Sequence, residues 1–151
     1  MTNMPVYMHF LYSFFATIGF SVFLDAPKST LIPCGFTGGL GWSVYYYLYT
    51  FTYNDPFSNF IAAFLVSLVS EILARKLKQP AIVFVIPGII PLVPGLGMYK
   101  TMLYLVQSNF ALAISKGSSV LFVGGAITLG VLVVTSLVKT VNISELKRAA
   151  K

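Results

Sequence analysis

Charged side chains are scarce in this sequence. They make up 9% of its 151 residues, ten Lys and Arg against four Asp and Glu, where a soluble domain carries about 25% to keep its surface wet. A water-soluble fold is thereby excluded, and the soluble enzyme classes with it. Cysteine and histidine are scarcer still, one of each. A lone Cys34 with one distant histidine can build neither a disulfide framework nor a zinc site, so Cys34 reads as a small buried hydrophobe. An intramembrane enzyme would need a nucleophile with a base, or a metal pair, at depth. There is no Gly-x-Ser-x-Gly and no aspartate pair, so the expectation is no enzyme, no metal and no haem or flavin cofactor. The net charge of +6 does not point to nucleic acid, because the basic residues punctuate apolar runs instead of covering a hydrophilic surface.

What is abundant is hydrophobicity, at 57% of the residues. A bilayer core of about 30 Å takes roughly 20 apolar residues as a helix, since only a helix satisfies its own backbone without water. The runs at residues 5–24, 29–51, 57–74 and 117–138 meet that length. The first is longer than a signal-peptide core and has no Lys or Arg before it, so it reads as a retained span. Between the third and the last lies 80–106, interrupted by Pro87-Gly88, Pro91, Pro94-Gly95 and Gly97. If it crosses, Lys28, Arg75, Lys76, Lys78, Lys139, Lys147, Arg148 and Lys151 share one face and only Lys116 falls on the other. If it dips and returns, that bias disappears. Lysine and arginine collect on the cytoplasmic side. The expectation is therefore an all-α polytopic membrane protein of five spans in one domain over 1–138, N-terminus outside, with a short basic cytoplasmic tail at 139–151. Tyr45, Tyr46, Tyr47, Tyr49 and Tyr53, with Tyr7 and Tyr12, read as an outer interfacial belt. Gly35, Gly38, Gly39 and Gly41, and Gly124, Gly125 and Gly130, mark close helix contacts.

The run Pro87-Gly88-Ile89-Ile90-Pro91-Leu92-Val93-Pro94-Gly95-Leu96-Gly97 cannot be an uninterrupted helix, because an internal proline removes a donor and clashes with the carbonyl four residues back. Irregular backbone at membrane depth is tolerated only when buried in protein or lining a polar cavity. Transporters use such breaks: the second half-helix offers free N–H groups and a positive dipole end to an anionic group of the substrate. Here that N-terminus falls at Gly95 to Met98, and a plain packing kink is the competing account. Charge at depth costs roughly 2.5–3.5 kcal/mol unless paired or wet, which makes Glu71 and Lys100 candidates for charge compensation or proton coupling. Their bland accounts are an i, i+4 pair of Glu71 with Arg75 and a snorkelling Lys100. Asp25 and Asp55 read as turn residues, and His9 as an interfacial histidine ahead of a proton relay.

Phe15-Ala16-Thr17-Ile18-Gly19-Phe20, Pro27, Gly38-Gly39-Leu40-Gly41-Trp42, the stretch from Glu71 to Ala81, and above all Ile89 to Tyr99 resemble the threonine/serine exporter family, specifically its small second half. The resemblance covers roughly residues 14–105. It implies a five-span domain in the cell (inner) membrane that works with a larger, related membrane subunit, and export of threonine and serine or of a dicarboxylate such as succinate. A homo-oligomer is the other assembly it allows. Joined to the broken helix, it gives an expected substrate site at Pro91, Pro94, Gly95, Gly97, Tyr99 and Thr101, with Glu71 or Lys100 as the charge and proton partner. The alternatives are a scaffold or regulatory subunit that does not itself transport, and a small homo-oligomeric channel.

Overall fold

The computed structural model describes residues 5–149, with side chains described through 140. Lys151 lies outside the described residues, as do the side chains of Lys147 and Arg148. Within them every element is helical: α1 (Val6–Phe23), a short 3-10 stretch (Lys28–Thr30), α2 (Leu31–Thr52), α3 (Asp55–Leu77), α4 (Ile82–Ile89) followed by its 3-10 turn (Ile90–Leu92), α5 (Gly95–Val106) and α6 (Phe110–Ala149).

The connections are tight because polar residues accept left-handed backbone at each corner. Asp25, Tyr53, Lys78 and Ser108 all have φ between 50° and 56°, the conformation in which a chain leaves a helix. The Asn54 side chain accepts from Phe57 N–H at 3.2 Å and caps α3, with Pro56 in the first turn, where its missing donor costs nothing. The α6 helix starts seven residues earlier than the apolar run at 117–138 suggests. Asn109 turns the chain and its side chain accepts from Leu112 N–H, while Gly117, Ser118 and Ser119 do not interrupt a helix, so Lys116 stands on α6 and not in a loop.

Helices α1, α3 and α6 through Thr140 are long and apolar enough to cross a membrane, and α4 with its 3-10 turn plus α5, bent by 56°, would be a fourth. Helix α2, expected as a span from its length, is not among them; its buried residues are Cys34, Gly35, Thr37, Gly38, Gly39 and Gly41. It lies among α1, α3 and α4. Such small residues let backbones approach closely: a Cβ on Gly38 would fall inside Thr17 of α1, and one on Gly41 inside Val66 of α3.

Residue pairings set the helix directions. Phe10 faces Gly39 and Ile18 faces Gly35, so α1 and α2 are antiparallel. Cys34 meets Val83 and Gly41 meets Leu92, so α4 runs with α2. Gly97 faces Val120 and Thr101 faces Gly117, an antiparallel α5–α6 hairpin. Asp55 and Asn59 of α3 share a cavity with Lys116 and Ser119 of α6, while Phe60 and Phe64 lie against Gly130, so α3 and α6 run in the same direction.

The break in the fourth segment falls later than its first proline. Pro87 stays inside α4. A proline there orphans the carbonyl of Val83, and the Cys34 thiol donates to that oxygen at 3.3 Å. Helical backbone ends instead at Pro91 to Pro94, where Val93 is extended and α5 restarts at Gly95.

Candidate functional site

The restart of α5 opens onto a cavity of about 390 Å³ near the Asp55 end of the bundle. Its walls are Trp42 and Tyr45 of α2, Asp55 and Asn59 of α3, the broken segment from Pro91 to Gly97, and Lys116, Ser119, Val120 and Val123 of α6. The floor is apolar: Leu92 and Val123 belong to a core cluster with Ala62, Ala63, Val66 and Ile127.

Three kinds of polar group converge here. On the α3 side, Tyr45 Oη–H donates to Asp55 Oδ1 at 2.7 Å. Asn59 Nδ2–H donates to the same oxygen at 3.2 Å and to the Asp55 carbonyl at 2.9 Å. Asn59 is 2% exposed and its Oδ1 has no partner among the described residues. On the α6 side stands Lys116, and among the described residues neither it nor Asp55 is in an ion pair. On the third side, Gly95 N–H bonds to Val93 O and Met98 N–H to Pro94 O, which leaves the N–H groups of Leu96 and Gly97 free at the start of α5. A cavity with an anion on one wall, and a cation plus helix N-terminal donors on the others, is complementary to a ligand with both charges.

Of the expected site residues, Pro91, Pro94, Gly95 and Gly97 line this cavity. Tyr99 is 64% exposed and does not, and the Thr101 hydroxyl is turned back onto Gly97 O at 2.8 Å. Lys100 is exposed. Glu71 is half-buried near the other end of α3, roughly 24 Å from Asp55 along the helix at 1.5 Å per residue. Trp42, Tyr45, Asp55, Asn59, Lys116 and Ser119 were not expected in a site. The available signal was the i, i+4 spacing of Asp55 and Asn59, which places both on one helix face. Tyr47 and Tyr53 are exposed, as a belt requires, whereas Tyr45 is half-buried and bound to Asp55. Cys34 is fully buried, as read from sequence. Among the described residues there is no cluster of His, Cys, Asp and Glu able to hold a metal ion.

The family model described as Threonine/Serine exporter, ThrE, matches residues 9–137 of the chain. Among curated proteins, a threonine/serine exporter of Corynebacterium glutamicum is 32% identical over 107 residues, covering 66% of this chain and 22% of that protein. The chain therefore spans less than a quarter of the length of this relative. No solved structure matches it.

Proposed function

The chain belongs to the threonine/serine exporter family, a family of membrane transporters and not of enzymes, and from that premise we propose that it is one subunit of a secondary transporter exporting small amino acids. It acts with a larger membrane subunit, which supplies what the remaining length of the Corynebacterium relative supplies there. The observation that carries the reading is the cavity, with Asp55 and Lys116 on separate walls at the start of α5 and in no ion pair among the described residues. An amino acid places its carboxylate on the Leu96 and Gly97 N–H groups with Lys116 behind them. Its ammonium group faces Asp55, with the rings of Trp42 and Tyr45 beside it. Of the two substrate classes, the dicarboxylate fits less well, since its second carboxylate would meet the carboxylate of Asp55 at close range.

Five crossings, with the N-terminus outside and the C-terminus in the cytoplasm, go with this reading. Parallel α3 and α6 favour a connecting segment that itself crosses, and that arrangement collects Lys28, Arg75, Lys76, Lys78 and Lys139 on one side. The cavity is then on the outer side, near the release end of an exporter.

The test is efflux of labelled threonine and succinate from cells expressing this chain alone, and then with a larger subunit of the same family. Threonine efflux only from the pair is the expected result. Efflux from the chain alone would replace the two-subunit reading with a homo-oligomer, and no efflux of either compound from the pair would leave a scaffold subunit.

A further inference from the structure

A second cavity, wide open and of about 350 Å³, shares Trp42 and Pro91 with the first. Its other walls come from α1: His9, Tyr12, Ser13 and Ala16. One indole and one proline ring thus stand between two cavities, and the indole is held by a histidine. Trp42 Nε1–H donates to His9 Nδ1 at 3.3 Å, and the imidazole stacks on Tyr46 with 3.9 Å between centroids and 24° between planes. An indole nitrogen can only donate. Nδ1 therefore offers its lone pair and the ring proton sits on Nε2, which is buried and has no partner among the described residues.

This geometry has a direct chemical consequence. A second proton on the ring must go to Nδ1, which turns the acceptor into a donor and removes the bond that fixes Trp42. From Trp42 a chain of contacts leads to the substrate cavity. The indole lies against Tyr45 with 5.1 Å between ring centroids, and Tyr45 in turn holds Asp55 Oδ1 at 2.7 Å. The titratable groups that face His9 are Tyr12 on its own helix and Tyr46 on α2, with Tyr45 behind the indole. Beyond Trp42 stand Asp55 of α3 and Lys116 of α6. The α4 helix and the 3-10 turn, which also touch α1, bring no ionisable side chain.

We propose that His9 is the binding site of the proton that couples to transport, and that it acts on the substrate cavity through Trp42, the wall between the two cavities. With His9 neutral, Trp42 is latched and Tyr45 is braced against Asp55. With His9 charged, Trp42 is released, the two cavities can join and Asp55 loses that brace. His9 is a positioning residue in this scheme and touches no substrate. The inference rests on the transport reading, and it supplies a proton site beside the cavity, which neither Glu71 nor Lys100 lines.

The chain has one tryptophan and one histidine, so tryptophan emission comes from Trp42 alone and His9→Gln isolates the histidine's part in it. The full chain in phosphatidylcholine nanodiscs, titrated from about pH 8 to about pH 5, the span in which imidazoles change charge, is expected to show a single transition in Trp42 emission. His9→Gln is expected to abolish it, because a side-chain carbonyl accepts the indole N–H without titrating. A flat wild-type titration, or a transition that survives in His9→Gln, overturns the proposal. In the efflux assay with the larger subunit, His9→Gln is expected to lose the dependence of threonine export on external pH, and a dependence unchanged from wild type also overturns it. The emission arm needs no substrate. If the paired subunits export nothing at all, the transport reading falls while the titration still decides whether His9 holds Trp42.

Discussion

At the scale of single residues, Asp55 carries two roles that can be separated. As an acid in the first turn of α3 it complements the positive end of the helix dipole, a stabilisation of about 0.3–1 kcal/mol, and that alone would account for it in any helix. Its bonds from Tyr45 and Asn59 and its place in the cavity say more, because a carboxylate fixed by two donors is pre-oriented for a cation. Asp55→Asn is therefore expected to weaken threonine binding by the worth of a charge-assisted bond, about 1.5–3 kcal/mol or roughly 10- to 100-fold, and to leave succinate binding equal or better. Lys116→Gln should weaken both ligands. Calorimetric titration of the purified assembly with each compound checks this. Equal losses of threonine and succinate on Asp55→Asn would reduce the aspartate to a helix-terminal charge. The sequence showed half of this site. Proline and glycine announce a break wherever they stand, so Pro91, Pro94, Gly95 and Gly97 were readable locally. Asp55 and Asn59 share only an i, i+4 spacing, Tyr45 and Lys116 carry no local mark, and the convergence of these four from three helices is a product of packing.

Among the elements, α4 shows that an internal proline need not end a helix. The carbonyl four residues before Pro87 is Val83, and it is not left bare, because α2 brings the Cys34 thiol to it. Non-standard backbone inside a membrane protein persists where a neighbouring helix re-satisfies the freed group. The only cysteine of the chain, read from sequence as inert filling, is here a hydrogen-bond donor to a proline-orphaned oxygen. Cys34→Ala is expected to destabilise the folded protein by about 1–3 kcal/mol, the cost of a buried acceptor without a partner. Cys34→Ser, which keeps the donor, should stay close to wild type. In a Pro87→Ala background, Cys34→Ala should cost little, because residue 87 then supplies its own N–H to Val83. Thermal unfolding of the four variants in nanodiscs gives the double-mutant cycle, and additive losses would show that the thiol and the proline do not share that carbonyl.

For the molecule as a whole, the question is how many times the chain passes through the bilayer, and two independent features bear on it. One is electrostatic and was available from sequence: a crossing fourth segment leaves Lys116 alone on its face. The other is geometric and was not. Parallel α3 and α6 are seen only once Asn59 and Ser119 are placed on one cavity, and Phe64 beside Gly130. Hydropathy alone passes three helices and a bent pair, and α2 is not among them. A helix buried among its neighbours need not be apolar, and α2 trades apolar side chains for the small ones that let four helices meet. Single cysteines placed on the chain separate the topologies. Native Cys34 can stay, being fully buried and so shielded from thiol reagents. With five crossings, an impermeant maleimide added to intact cells is expected to label Lys116→Cys and to reach Lys78→Cys and Lys139→Cys only after permeabilisation. A fourth segment that dips and returns reverses two of the three: Lys139→Cys would be labelled from outside and Lys116→Cys protected, and the cavity with Asp55 and Lys116 could not then open on one side of the membrane.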